Sequence, residues 1–228
     1  MLVDLIELVG RDHALRAYRL SYESLDALPE LVDDLGDRCG LARRPCLYLG
    51  CDPDDVEKLK RECDARRSLG IAAEFLDERH IRERFSFSRP AALWSVKAME
   101  VDPFRLTHRL VARSVERGLE VFAGTEVEEY EWIGGGIVLT IRDGNRVRAR
   151  HVVFATGYET PQFLGRDVCT CTLRSTYAMV SSPLDRFDGW PDRCLIWESA
   201  RPYFYLRTTQ DGRAGRESPD AELFVFGR

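Results

Sequence analysis

The sequence predicts a mixed α/β fold, and three features predict it. Two stretches, 12–35 and 102–118, repeat apolar residues at three- and four-residue steps, the period of a helix with one buried face. Between 125 and 150, apolar residues recur at alternate positions in three short runs separated by Gly134-Gly135-Gly136 and Asp143-Gly144, the pattern of an antiparallel meander with tight turns. Directly after it, His151-Val-Val-Phe-Ala155 abandons alternation for a continuous apolar run, as a strand covered on both faces requires.

Taken in order, Leu15, Tyr18, Tyr22, Leu25, Leu28, Val32 and Leu35 form the stripe of the first helix, with Asp12 as its cap and Pro29 as an expected kink. A strand is expected at 44–49. A helix capped by Asp52-Pro53 then runs through Val56, Leu59 and Cys63 to a stop at Gly70. A strand at 72–76 and a short helix opened by Asp77 come next. Asp102-Pro103 read as cap and first turn of a helix with Leu106, Leu110, Val111 and Val115 on one face and Gly118 just past its end. Strands are expected at 120–122, in the meander, at 151–155, and at 173–181, 194–197, 203–209 and 223–226. The polar insert 211–221 reads as a flexible hairpin loop.

The 228 residues are 44% hydrophobic and 31% charged, a balance that excludes disorder. A net charge of -5, from 33 basic and 38 acidic residues, leaves no basic footprint for nucleic acid. Lys58, Lys60 and Lys97 are the only lysines, an arginine bias that codon usage explains as readily as anion binding. No stretch approaches the ~18 apolar residues of a membrane span, and the acids Asp4 and Glu7 spoil any signal peptide, so a cytoplasmic location is expected. The seven cysteines lack paired CxxC spacing and read as free thiols, with Cys169 and Cys171 packed side by side and no metal bound.

The order of helix VDPFRLTHRLVARSVERG, strand LEVFAG, the tripeptide Thr125-Glu126-Val127, meander with GG and DG turns, then ARHVVFATGYE resembles the FAD-dependent oxidoreductases of the D-amino-acid oxidase family, whose members include glycine and sarcosine oxidases. The likeness is densest over 101–159 and extends loosely to Tyr177 and to YFYLRTTQDGR at 203–213. It implies an FAD-binding Rossmann-like sheet from which the meander is an excursion, joined to an antiparallel-sheet substrate domain. On that reading the helical segment 1–40 and residues 98–165 form a partial FAD-binding domain. Residues 41–97 and 166–228 form the substrate domain, interlocked with it.

The implied cofactor is FAD, with Val127 against the adenine and Ala155, Thr156 and Gly157 facing the dinucleotide at the end of a strand. The strand, GxGxxG and helix that hold the pyrophosphate in such enzymes do not occur, and Gly134–Gly136 sits inside the meander as a turn. Relative to the family pattern, the first βαβ unit is missing and both ends are truncated. A gene remnant, a mis-called start and one piece of a split enzyme all stay open, as does a separate chain that supplies the glycine-rich unit or self-association through exposed edges.

The implied reaction moves a hydride from the carbon beside an amine to the flavin, so the protein contributes orientation and charge. An arginine for a substrate carboxylate and aromatics to align the amine are the residue types such a site needs. Tyr203, Tyr205 and Arg207 alternate on one expected strand face and are the primary candidates, followed by Arg174 and Tyr177 on a neighbouring strand. The competing reading is an aromatic face packed on a helix with Arg207 reaching to water. His13, His80, His108 and His151 read as solvated or capping residues, and Asp102 as a helix cap.

Overall fold

A computed structural model describes residues 1–160, 164, 177–201, 203–209 and 212–218. The chain divides into two compact units, Met1–Arg113 with Thr176–Arg228, and Ser114–Ser175.

The larger unit opens with helices α1 (Leu2–Val9) and α2 (Arg11–Asp34). Strand β1 (Ala42–Gly50), helix α3 (Asp55–Ser68), strand β2 (Glu74–Asp77), helix α4 (Glu78–Arg84) and strand β3 (Ala91–Glu100) follow. Helix α5 (Pro103–Glu116) leads out of this unit, and β4 (Val127–Ile133), β5 (Gly136–Ile141) and β6 (Arg146–Ala149) belong to the smaller one. The chain then returns with β7 (Tyr177–Val180), β8 (Leu195–Glu198), β9 (Tyr205–Thr208) and β10 (Ala214–Ser218).

Seven strands form one sheet in the order β2-β3-β1-β8-β9-β10-β7. Among the described pairings only the central pair β1–β8 is parallel, from Cys46 opposite Leu195 to Leu49 opposite Glu198. The other described pairings are antiparallel, so this one junction splices two antiparallel blocks that are far apart in sequence. A bulge where Arg44 and Cys46 face Ala98 and Ser95 shifts the register of β3.

Side chains alternate across the sheet, and each face has its own core. On one, Leu47, Leu49, Trp94, Ile196 and Phe204 pack with Ile81 and Phe85 of the α4 region and with Trp190. On the other, Tyr48 and Leu93 pack with Leu59 and Cys63 of α3.

The first helices are tied down by a carboxylate. Glu62, wholly buried on α3, accepts the Leu2 and Val3 backbone N–H groups at 3.0 and 2.9 Å, the Tyr18 hydroxyl at 3.1 Å and Arg66 Nε at 2.7 Å. Burial pushes its pKa up. The two α1 N–H groups and the Arg66 guanidinium outweigh that and hold the net value below the usual carboxyl range. The carboxylate thus caps α1, whose first N–H groups have no partner within the helix.

The smaller unit is the expected meander, β4-β5-β6. Gly134 and Gly135 take positive φ in its first turn, and a Cβ on Gly136 would lie 2.8 Å from the Ala149 carbonyl oxygen, so the glycine cluster builds the hairpin.

Several expectations are corrected. Residues 120–122 are not a strand. Nor are 151–155: Val153 is 86% exposed, Phe154 contacts the Tyr130 ring, and among the described residues no strand pairs with the run and the parallel sheet expected there does not occur. An apolar run becomes a strand only where neighbouring edges take its N–H and C=O groups in a ladder. Part of the supposed loop 211–221 is strand β10, antiparallel to β9, with Thr209 N–H bonded to Arg213 O at 2.7 Å. The expected strand 223–226, Cys169 and Cys171 lie outside the described residues.

Replacing Glu62 by alanine strands Arg66 and the α1 N–H groups, and is expected to cost about 3 kcal/mol in urea unfolding. Because the folded pKa is the lowered one, this stabilisation is complete above the ordinary glutamate range. It fades as pH falls through the lowered value. An unchanged urea midpoint in Glu62→Ala at neutral pH would contradict this.

Candidate functional site

Strand β9 carries the aromatic and charged face. Leu206 points to the Ile196 core, so Tyr205 and Arg207 share the opposite face. Across the sheet, Trp197 stands opposite Tyr205, and their rings stack with centroids 6.3 Å apart. Tyr48 meets the other side of Trp197 edge-on at 4.6 Å, and Tyr203 meets Tyr205 edge-on at 5.0 Å. Arg201 lies over the Tyr203 ring at 4.6 Å. Tyr203, Tyr205 and Arg207 are therefore brought together, although Tyr203 lies just before the strand.

Arg207 is not alone on this wall. Its Nη2 lies 3.4 Å from Oε2 of Glu100, at the end of β3, and Arg44 Nε bonds Oε1 of the same carboxylate at 2.9 Å. Sequence reasoning missed Glu100 and Arg44. An acid just before a Val-Asp-Pro helix start reads as a solvated loop residue, and only the β3-β1-β8-β9 order carries it to Arg207.

Tyr177 does not join the wall. Strand β10 separates β7 from β9, and the registers Arg207–Gly215–Val180 and Tyr205–Glu217–Ala178 put Tyr177 on the opposite face. Arg174 lies outside the described residues. Val127 begins β4, while Ala155, Thr156 and Gly157 follow the meander in the smaller unit, with Gly157 at φ 58° opening a single 3-10 turn.

The two faces of the sheet offer different cavities. One of about 240 Å³ is lined by Tyr18, Tyr22, Cys46, Arg66, Lys97 and Trp197, on the same face as Tyr205. A larger cleft of about 480 Å³, lined by Phe87, Met179, Leu184, Phe187, Trp190 and Leu206, is mainly apolar. Its arginine, Arg186, is paired with Asp188. Size favours the second, but orientation of a charged substrate needs convergent polar groups, which the Arg207 face has.

The histidines assemble no proton relay. Asp77 accepts from the His80 N–H at 2.9 Å as a cap, and the His108 ring rests against Phe104 at 4.3 Å. Asp102 caps α5 through the Arg105 N–H at 3.0 Å, as expected. Among the described residues no group of three His, Cys, Asp or Glu side chains is placed to hold a metal. Burial raises the thiols of Cys46, Cys51 and Cys63, and pushes Cys194 up to about 12.

The family model for FAD dependent oxidoreductases (DAO) matches residues 6–221. The chain belongs to that family. Comparison with curated proteins gives no match. Among solved structures, the chain is similar to glycine oxidase from Geobacillus kaustophilus, with TM-score 0.70 and 18% identity over 87% of this chain and 54% of that one. Glycine oxidase from Bacillus cereus gives TM-score 0.68 and 20% identity over 88% and 56%. L-proline dehydrogenase from P. horikoshii gives 0.65 and 19% over 88% and 57%. The chain thus spans little more than half the length of these proteins, whose fold it shares.

The family cofactor is FAD, and the described residues do not complete a site for it. A dinucleotide needs a strand, a glycine-rich turn and a helix N-terminus for its phosphates, and no such unit occurs among them.

The raised thiols predict slow alkylation. Cys46, Cys51, Cys63 and Cys194 are expected to react with iodoacetamide at pH 7.5 at least about tenfold more slowly in the folded chain than in urea, read by peptide mass spectrometry. Equal rates in both states would contradict the burial described.

Proposed function

We propose that the chain is the substrate-facing portion of an FAD-dependent oxidoreductase that oxidises a small amine or amino acid. The observation that carries this is the wall of Tyr203, Tyr205, Trp197 and Arg207 on a family-type sheet: a guanidinium to take a carboxylate, with stacked aromatics on the same face to orient the carbon beside it. In this reading Arg207 holds the substrate carboxylate and Tyr205 and Tyr203 align the amine. Val127, Ala155, Thr156 and Gly157 are the cofactor-facing residues. The division into a cofactor part, 1–40 with 98–165, and a substrate part, 41–97 with 166–228, is part of the same proposal. The separation of the meander unit agrees with it only over 114–165, because residues 1–40 and 98–113 group with the seven-stranded sheet.

A second reading is favoured by one observation, the lack of a phosphate cradle among the described residues: a non-catalytic remnant, or a subunit whose partner chain supplies the glycine-rich unit. No described helix is long and apolar enough to cross a membrane. We propose a cytoplasmic protein. Phe104, Phe122, Trp132, Val153 and Tyr158 are all exposed, which supports an association-prone chain.

Purified chain incubated with FAD and gel-filtered separates the readings. A retained flavin absorption band supports the oxidoreductase; colourless protein supports the remnant or split subunit. In an active preparation, Arg207→Ala is expected to raise KM for carboxylate substrates about a hundredfold with a smaller change in kcat. An unchanged KM would retire Arg207. Light scattering is expected to show species larger than a monomer, and a monodisperse monomer would contradict the association.

A further inference from the structure

We propose that Glu100 sets the charge of the ligand the Arg207 wall accepts, restricting it to one negative charge. The inference rests on Arg207 being a substrate contact. Glu100 has a side chain only 2% exposed, and its two oxygens divide between two arginines. Oε1 takes a hydrogen bond from Arg44 Nε, while Oε2 is buried with no hydrogen bond and is held by charge alone, 3.4 Å from Arg207 Nη2.

Two guanidiniums on one carboxylate leave the cluster with one surplus positive charge. Arg207 is 44% exposed, so that charge faces the open side of the wall, whereas Arg44 is largely covered. A single carboxylate therefore balances the cluster. A second carboxylate on the ligand would feel the fixed Glu100 charge a few ångströms behind Arg207. Discrimination against the dianion thus comes from a repulsive element built into the sheet.

Trp197 and Tyr205 share the sheet face of Arg207, and Tyr203 meets Tyr205 edge-on, which makes an aromatic monocarboxylate a suitable probe. Benzoate and phthalate differ by one carboxylate and need no flavin for their binding to be read, so calorimetric titration of the purified full chain tests the inference directly.

Wild type is expected to bind benzoate about fivefold tighter than phthalate, and Glu100→Gln to shift that ratio about tenfold toward phthalate. Arg44→Gln moves the balance the other way, leaving Glu100 to neutralise Arg207 alone, and is expected to weaken benzoate about threefold. Arg207→Gln should abolish both. A Glu100→Gln ratio equal to wild type, with Arg207→Gln losing both ligands, overturns the role of Glu100 and leaves the wall standing. If wild type binds neither ligand, or Arg207→Gln binds as wild type does, the wall itself falls and Glu100 with it. Should Glu100→Gln fail to fold by circular dichroism, Arg44→Gln decides, and benzoate binding at or above wild type then overturns the proposal.

Discussion

The parallel junction between β1 and β8 is the constraint on which the larger unit depends. Each flanking block, β2-β3-β1 and β8-β9-β10-β7, is antiparallel and assembled largely from neighbours in sequence, whereas the four-residue register from Cys46–Leu195 to Leu49–Glu198 joins segments separated by the whole meander. Such a pairing is favourable only if burial offsets the entropy of closing so long a loop. Leu47, Leu49 and Ile196 on one face, with Tyr48 and Trp197 on the other, supply that burial.

The junction also makes the chemistry. With β8 beside β1, Trp197 is caught between Tyr48 and Tyr205, and its indole Nε1 donates to Cys46 Sγ at 3.0 Å. The same order brings the end of β3 within reach of β9, so that Glu100 lies between Arg44 and Arg207. The Tyr48–Trp197 contact and the three-member charge cluster exist in neither block alone. The buried Glu62 works in parallel on the helical side, turning an otherwise costly interior carboxylate into the cap and anchor of α1.

Much of this was legible in the sequence wherever the signal was local. The stripe from Leu15 to Leu35 gave α2, which continues through Pro29; Asp77 and Asp102 marked helix starts through their own side-chain caps; and the GG and DG turns fixed the meander. Strand β3 left no trace because its bulge breaks the alternation midway, and its first residues are apolar on both faces. The run 151–155 misled for the converse reason: apolar continuity is necessary for an interior strand but says nothing about whether partners are present. At the site, Tyr205 and Arg207 could be paired by their spacing. Glu100, Arg44 and Trp197 could not, since their meeting is a property of strand order, and Tyr177, expected on a neighbouring strand, is separated from β9 by β10.

The most direct measure of the central claim, that splicing the two blocks couples Glu100 to Arg207, is a double-mutant cycle on stability. Glu100→Gln, Arg207→Gln and the double variant would be compared with wild type by urea unfolding at neutral pH and low salt. A coupling of about 1 kcal/mol is expected, modest because Arg207 is half in water, and shrinking as salt is added. Strictly additive effects would contradict it, and would mean that the two side chains do not share a charge cluster in solution.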